Sequence, residues 1–125
     1  MPRVVVATAP PELYSRELER YVRRVADRWP LQRAVLGGAQ VDDLRGALPQ
    51  RERGPEWIVV LVSDRFDGIP WLERVHVCAA LWDAAEMGAP ADVHCNTPLE
   101  FLRKRFALAS IARVDASGID LAVEG

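Results

Sequence analysis

Trp57-Ile58-Val59-Val60-Leu61-Val62 is a continuous apolar run rich in β-branched residues, closed by Ser63-Asp64 and followed by an Asp67-Gly68 turn. A run of this length with no polar alternation predicts a central strand covered on both faces. Downstream, Trp71, Leu72, Val75, Cys78, Ala79, Trp82 and Ala85 recur at helical spacing, which predicts one amphipathic helix over residues 70–87 with Gly88 as its C-terminal cap. Residues 91–95 then read as a short strand. Thr97-Pro98-Leu99-Glu100 has capping-box spacing with proline at the first helical position, so a helix starts there. It is expected to run toward Asp115 with a break near Phe106, and residues 119–123 form an edge strand after Ser117-Gly118.

Upstream, residues 49–55 hold no apolar side chain except proline and predict an exposed loop. A weak helix is expected over 41–48, and Gly37-Gly38 turns the chain after a short strand at 31–36. Tyr14, Leu18, Tyr21, Val22, Val25 and Trp29 share one face of a helix that begins near Pro11 and ends at Pro30. Val4-Val5-Val6-Ala7 reads as a first strand. Strands alternating with helices predict an α/β fold in which a central mixed sheet is flanked by helices.

The chain has 125 residues, 50% of them hydrophobic, enough for one domain with a continuous core over residues 1–125. Formal net charge is -2 with both signs interspersed, so no global field points to nucleic acid or a membrane, and any nucleotide site must be local. The opening apolar run is too short for a signal peptide, and no stretch is apolar enough to span a bilayer. These features predict a cytoplasmic protein in which Cys78 and Cys95 are reduced thiols packed as small hydrophobes.

The segment from Val62 to Arg74 resembles the stretch after the catalytic strand in minimal nucleotidyltransferase-domain proteins of bacteria, members of the DNA polymerase beta-like nucleotidyltransferase superfamily. Leu81-Trp82-Asp83, Ala91-Asp92-Val93, Cys95-Asn96-Thr97-Pro98-Leu99-Glu100-Phe101 and Gly118-Ile119-Asp120-Leu121 are similar to later parts of that family. The likeness covers residues 56–125, and the first half of the chain matches poorly. In the family a Gly-Ser pair after the first core strand holds nucleotide phosphates, an Asp-x-Asp begins the next strand, and a third Asp lies on a neighbouring strand. Residues two apart on a strand share a face, so three such carboxylates can cage two divalent ions about 3.5–4 Å apart for nucleotidyl transfer.

Transferred residue by residue, the resemblance places the third carboxylate at Asp92, the Asp-x-Asp at Glu56-Trp57-Ile58, and the Gly-Ser pair at Gly37-Gly38. The first carboxylate is thus Glu56, the second is replaced by an aliphatic side chain, and the phosphate-binding hydroxyl is lost. This implies a degenerate active site. Glu56 and Asp92 are the residual catalytic and metal candidates, with Mg²⁺ as the ion if activity is retained, and Gly37 and Gly38 the residual phosphate candidates through their backbone N–H groups. Asp64 lies about 20 Å along the strand from Ile58 and cannot share the site. Asp42 and Asp43 follow the glycines and read as helix-dipole residues.

His76, Cys78, His94 and Cys95 are the residue types zinc prefers. On a helix His76 and Cys78 are separated by about 200°, and on a strand His94 and Cys95 point to opposite faces, so the four do not converge. Arg103-Lys104-Arg105 reads as a solvated run. No cofactor is expected. The resemblance implies a non-catalytic binding module whose partner class is a helical HEPN protein, as antitoxin to toxin. The alternatives are an active Mg²⁺-dependent nucleotidyltransferase built on Glu56 and Asp92, and a structural α/β protein unrelated to the family.

Overall fold

The computed structural model describes residues 12–44 and 54–123. The strand expected at 4–7, the end of the 41–48 helix and most of the 49–55 loop lie outside the described residues. In chain order the elements are α1 (Glu12–Arg28), β1 (Arg33–Gly37), α2 (Ala39–Leu44), β2 (Trp57–Val62), α3 (Trp71–Ala80), α4 (Ala84–Met87), β3 (Ala91–Asn96), α5 (Pro98–Ala107), α6 (Ala109–Ser117) and β4 (Ile119–Leu121). A single 3-10 turn at Asp64–Phe66 follows β2.

The four strands form one mixed sheet in the order β3-β2-β1-β4. β2 runs parallel to β3 and antiparallel to β1, while β4 lies antiparallel on the outer side of β1. A parallel pair needs a long crossover, and α3 and α4 supply it. The apolar run at 57–62 is therefore an inner strand between β1 and β3, and among the described residues 119–121 is an edge. This is the α/β architecture that the alternation of patterns predicts.

Alternate residues of β2 feed two cores. Trp57, Val59 and Leu61 pack with Leu18, Tyr21 and Val25 of α1 and with Cys78 of α3. Val60 and Val62, with Ile58 partly buried beside them, pack with Val35, Phe101 of α5, and Ile111 and Val114 of α6. Burial on both faces is what removes polar alternation from the strand.

The helix predicted over 70–87 is two helices. α3 stops at Ala80 because Asp83 opens α4 as an N-cap, its carboxylate accepting from the Glu86 N–H at 3.0 Å. Between them Trp82 turns inward and its indole donates to the Ala89 carbonyl at 2.9 Å. Gly88 caps α4 with φ 82°. The inward face of α3 also differs from the periodic reading, since Trp71 and Leu72 are exposed and Arg74 is buried. Arg74 tolerates burial because its guanidinium donates to the Ile69 and Cys95 carbonyls and to Glu100, the last at 2.6 Å.

Thr97 and Glu100 form the reciprocal capping box their spacing predicts. The break after it falls at Leu108, which is extended and separates α5 from α6. Among the described residues no helix is long and apolar enough to cross a membrane.

Candidate functional site

Three of the positions singled out by the resemblance share one row of the sheet. Gly37 of β1 lies opposite Ile58 of β2, and Ile58 lies opposite Asp92 of β3. Residues paired in register share a face, so Ile58 stands between the glycine and the carboxylate on the face covered by α5 and α6. Its side chain packs against that second core. Glu56 precedes β2 in a bend, and its Oε1 accepts from Gln40 Nε2 at 2.8 Å. The carboxylate is thereby tied to the start of α2.

The glycines are engaged by protein. Gly38 takes φ 104°, a region that favours glycine, and a Cβ added there would lie 2.6 Å from the Glu56 carbonyl oxygen. At Gly37 the equivalent atom would lie 2.7 Å from Val114 Cγ2, so α6 sits directly on the glycine. A helix N-terminus binds an anion through its unpaired N–H groups. Here the N–H groups of Ala39 and Gln40 already donate to the Pro55 and Glu56 carbonyls, at 2.9 and 3.0 Å.

Asp92 is exposed on β3, and its Oδ2 lies 3.0 Å from His94 Nε2, two residues along the same face. Asp42 pairs with Arg113 of α6 at 2.8 Å, which brings α6 over the sheet instead of offering a carboxylate to it. Asp64 lies beyond the far end of β2, away from the Gly37–Ile58–Asp92 row. Among the described residues no group of three or more His, Cys, Asp or Glu side chains is placed to hold a metal ion. The donor set at this row does not fit the two divalent ions of nucleotidyl transfer, because the residue between Gly37 and Asp92 offers only carbon.

Three features were not foreseen in the sequence. Cys78 and Cys95, expected to pack as small hydrophobes, do so in one core and also influence each other's ionisation. The interaction with Cys78 and then burial push the Cys95 thiol far above its ordinary range, while the same interaction lowers Cys78. The second is Asn96, fully buried with neither side-chain polar atom hydrogen-bonded to a described residue. Its neighbours in the capping motif are legible from spacing, but its burial depends on how α5 folds back over β3. Arg33 is a further case: it binds Asp120 and Asp115 on the face of α6, and the Asp120 bond, with a smaller contribution from Asp115, raises its already high pKa.

No protein-family model, curated protein or solved structure matches the chain.

Proposed function

We propose that the chain is a nucleotidyltransferase-like module that transfers no nucleotide and acts by binding another protein, a helical partner of the HEPN kind, as an antitoxin-like component. The observation that carries the non-catalytic part is the register of Ile58 against Asp92. An aliphatic side chain stands where the second carboxylate of such an enzyme would be, and carbon neither ligates a hard cation nor balances phosphate charge. The filled donors at the start of α2 and the seating of Val114 on Gly37 support the same reading. The likeness in order and spacing at residues 56–125 supports the family and, through it, the partner class.

The test is transfer itself. Protein with Mg²⁺ or Mn²⁺ and each common nucleoside triphosphate, labelled on the α-phosphate, is expected to label neither itself nor a helical HEPN protein. Incorporation that disappears in Asp92→Ala would overturn the reading in favour of an active enzyme.

A further inference from the structure

Leu99, Leu102 and Phe106 of α5 are all exposed, Phe106 at 79%. They recur at i, i+3 and i+7, so they fall within an arc of roughly 60° on the helix surface. That is a narrow apolar seam of the width helices present to one another. It is not surplus from core packing, because α5 is already anchored on its other side. Phe101 is buried in the second core, Lys104 Nζ lies 5.6 Å from the Trp71 ring, and Glu100 binds Arg74.

The seam is bordered by positive charge on both flanks. Arg103 falls roughly 40° beyond Leu99, and Arg105 roughly 60° before Leu102. Arg103 makes no ion pair among the described residues, whereas Arg105 lies 3.4 Å from Asp115 and 5.0 Å from the Phe106 ring centroid. Glu100, the one acidic residue of α5, is committed to Arg74.

We propose that this face of α5 is a docking surface for an amphipathic helix of a partner protein, one whose apolar stripe is flanked by Asp or Glu. Apolar anchors at helical spacing provide the contact, and Arg103, which makes no ion pair among the described residues, sets the partner's charge, with Arg105 shared with Asp115 on the other flank. A second copy of the chain is the wrong occupant. Two α5 seams packed about a two-fold axis would bring their arginines together across the contact, a like-charge arrangement that opposes association. An anionic lipid surface fits poorly too, since membrane-lying helices present a broad apolar face and this one is narrow. The proposal names the face of the interaction module described above and rests on that reading in one respect, that the chain works by binding protein.

Two synthetic helical peptides test it by fluorescence anisotropy, both with leucine at the first, fourth and eighth positions, one flanked by glutamate and one by lysine. The glutamate peptide should bind at least about tenfold more tightly at low salt, a difference of about 1.4 kcal/mol, and lose affinity as salt rises. Phe106→Ser should abolish binding while leaving the melting temperature unchanged, because the ring is exposed. Arg103→Glu should remove or reverse the preference between the two peptides. Equal affinities, no binding of either peptide, or indifference to Arg103→Glu would overturn the proposal. So would a dimer in sedimentation that Phe106→Ser dissolves, or binding to phosphatidylserine vesicles without binding to peptide. Loss of peptide binding alone would remove the α5 surface and leave the non-catalytic reading standing, whereas nucleotide transfer would remove that reading whatever the peptides do.

Discussion

Gly38 shows how backbone geometry at a single residue can bar the side chain that a motif resemblance would place there. The motif resemblance suggests serine there, yet the positive φ and the nearby Glu56 carbonyl leave no room for a Cβ. Gly38→Ser is expected to lower stability by about 1–3 kcal/mol, read as a shift of the urea midpoint at unchanged slope. A test of the resemblance must therefore keep the glycine and change positions 56 and 58. Ile58→Asp with Glu56→Asp places an unpaired carboxylate beside the second core, which is unfavourable until a cation or water compensates it. The double variant should melt below wild type, and Mn²⁺ should recover part of the difference by binding the folded state. A variant that melts like wild type and ignores Mn²⁺ would mean position 58 is not opposite Asp92 in solution. Arg74 carries a different lesson at this scale. Arg74→Met orphans the Ile69 and Cys95 carbonyls and should cost about 1–3 kcal/mol, more than Glu100→Gln, whose carboxylate is partly solvated.

Elements were legible where the signal was local. The apolar run of β2, the proline and capping box of α5, and the edge position of β4 each follow from a few neighbouring residues, and each stands where its pattern places it. Thr97→Ala should cost about 0.5–2 kcal/mol in thermal or urea denaturation, since it removes the acceptor for the Glu100 N–H. The misreading of 70–87 as one helix has a local cause as well. Asp83 followed three residues later by Glu86 is itself a helix-start spacing, and the apolar periodicity running through it hides the break. Tertiary choices were not legible in this way. Periodicity marks Trp71, Leu72 and the Leu99, Leu102, Phe106 stripe as apolar, but only the packing of α3 and α5 determines which of their faces turns outward. The same holds at the candidate site: spacing could place Ile58 and Asp92 on strands, whereas their pairing in one row needs the parallel register of β2 and β3.

At the scale of the whole molecule, the core formed by α1, α3 and β3 contains two groups, Tyr21 and Cys95, that burial and their neighbours hold protonated. Tyr21 donates its hydroxyl to the Cys78 carbonyl at 2.9 Å. Burial first, and then the neighbouring thiols, raise its pKa well above the usual phenol value. Cys95 is raised by its interaction with Cys78 and by burial, whereas Cys78 is lowered by that same interaction. In the unfolded chain cysteine ionises near pH 8.5 and tyrosine near pH 10. The folded state therefore binds more protons than the unfolded state at alkaline pH, and stability falls as pH rises. Below about pH 8 the contribution of Cys95 and Tyr21 is fully present. Above about pH 9, Cys95 should remove about 1.4 kcal/mol per pH unit, and above about pH 10 Tyr21 should roughly double that slope. Urea midpoints at pH 7, 9.5 and 10.5 measure this directly. Cys78→Ala combined with Cys95→Ala should flatten the decline between pH 9 and 10, since in Cys95→Ala alone burial would raise the remaining Cys78 thiol, and Tyr21→Phe should remove only the steepening above pH 10. If both variants reproduce the wild-type profile after correction for their stability at pH 7, the alkaline loss arises elsewhere, and the thiol–phenol cluster does not hold its protons in the folded protein.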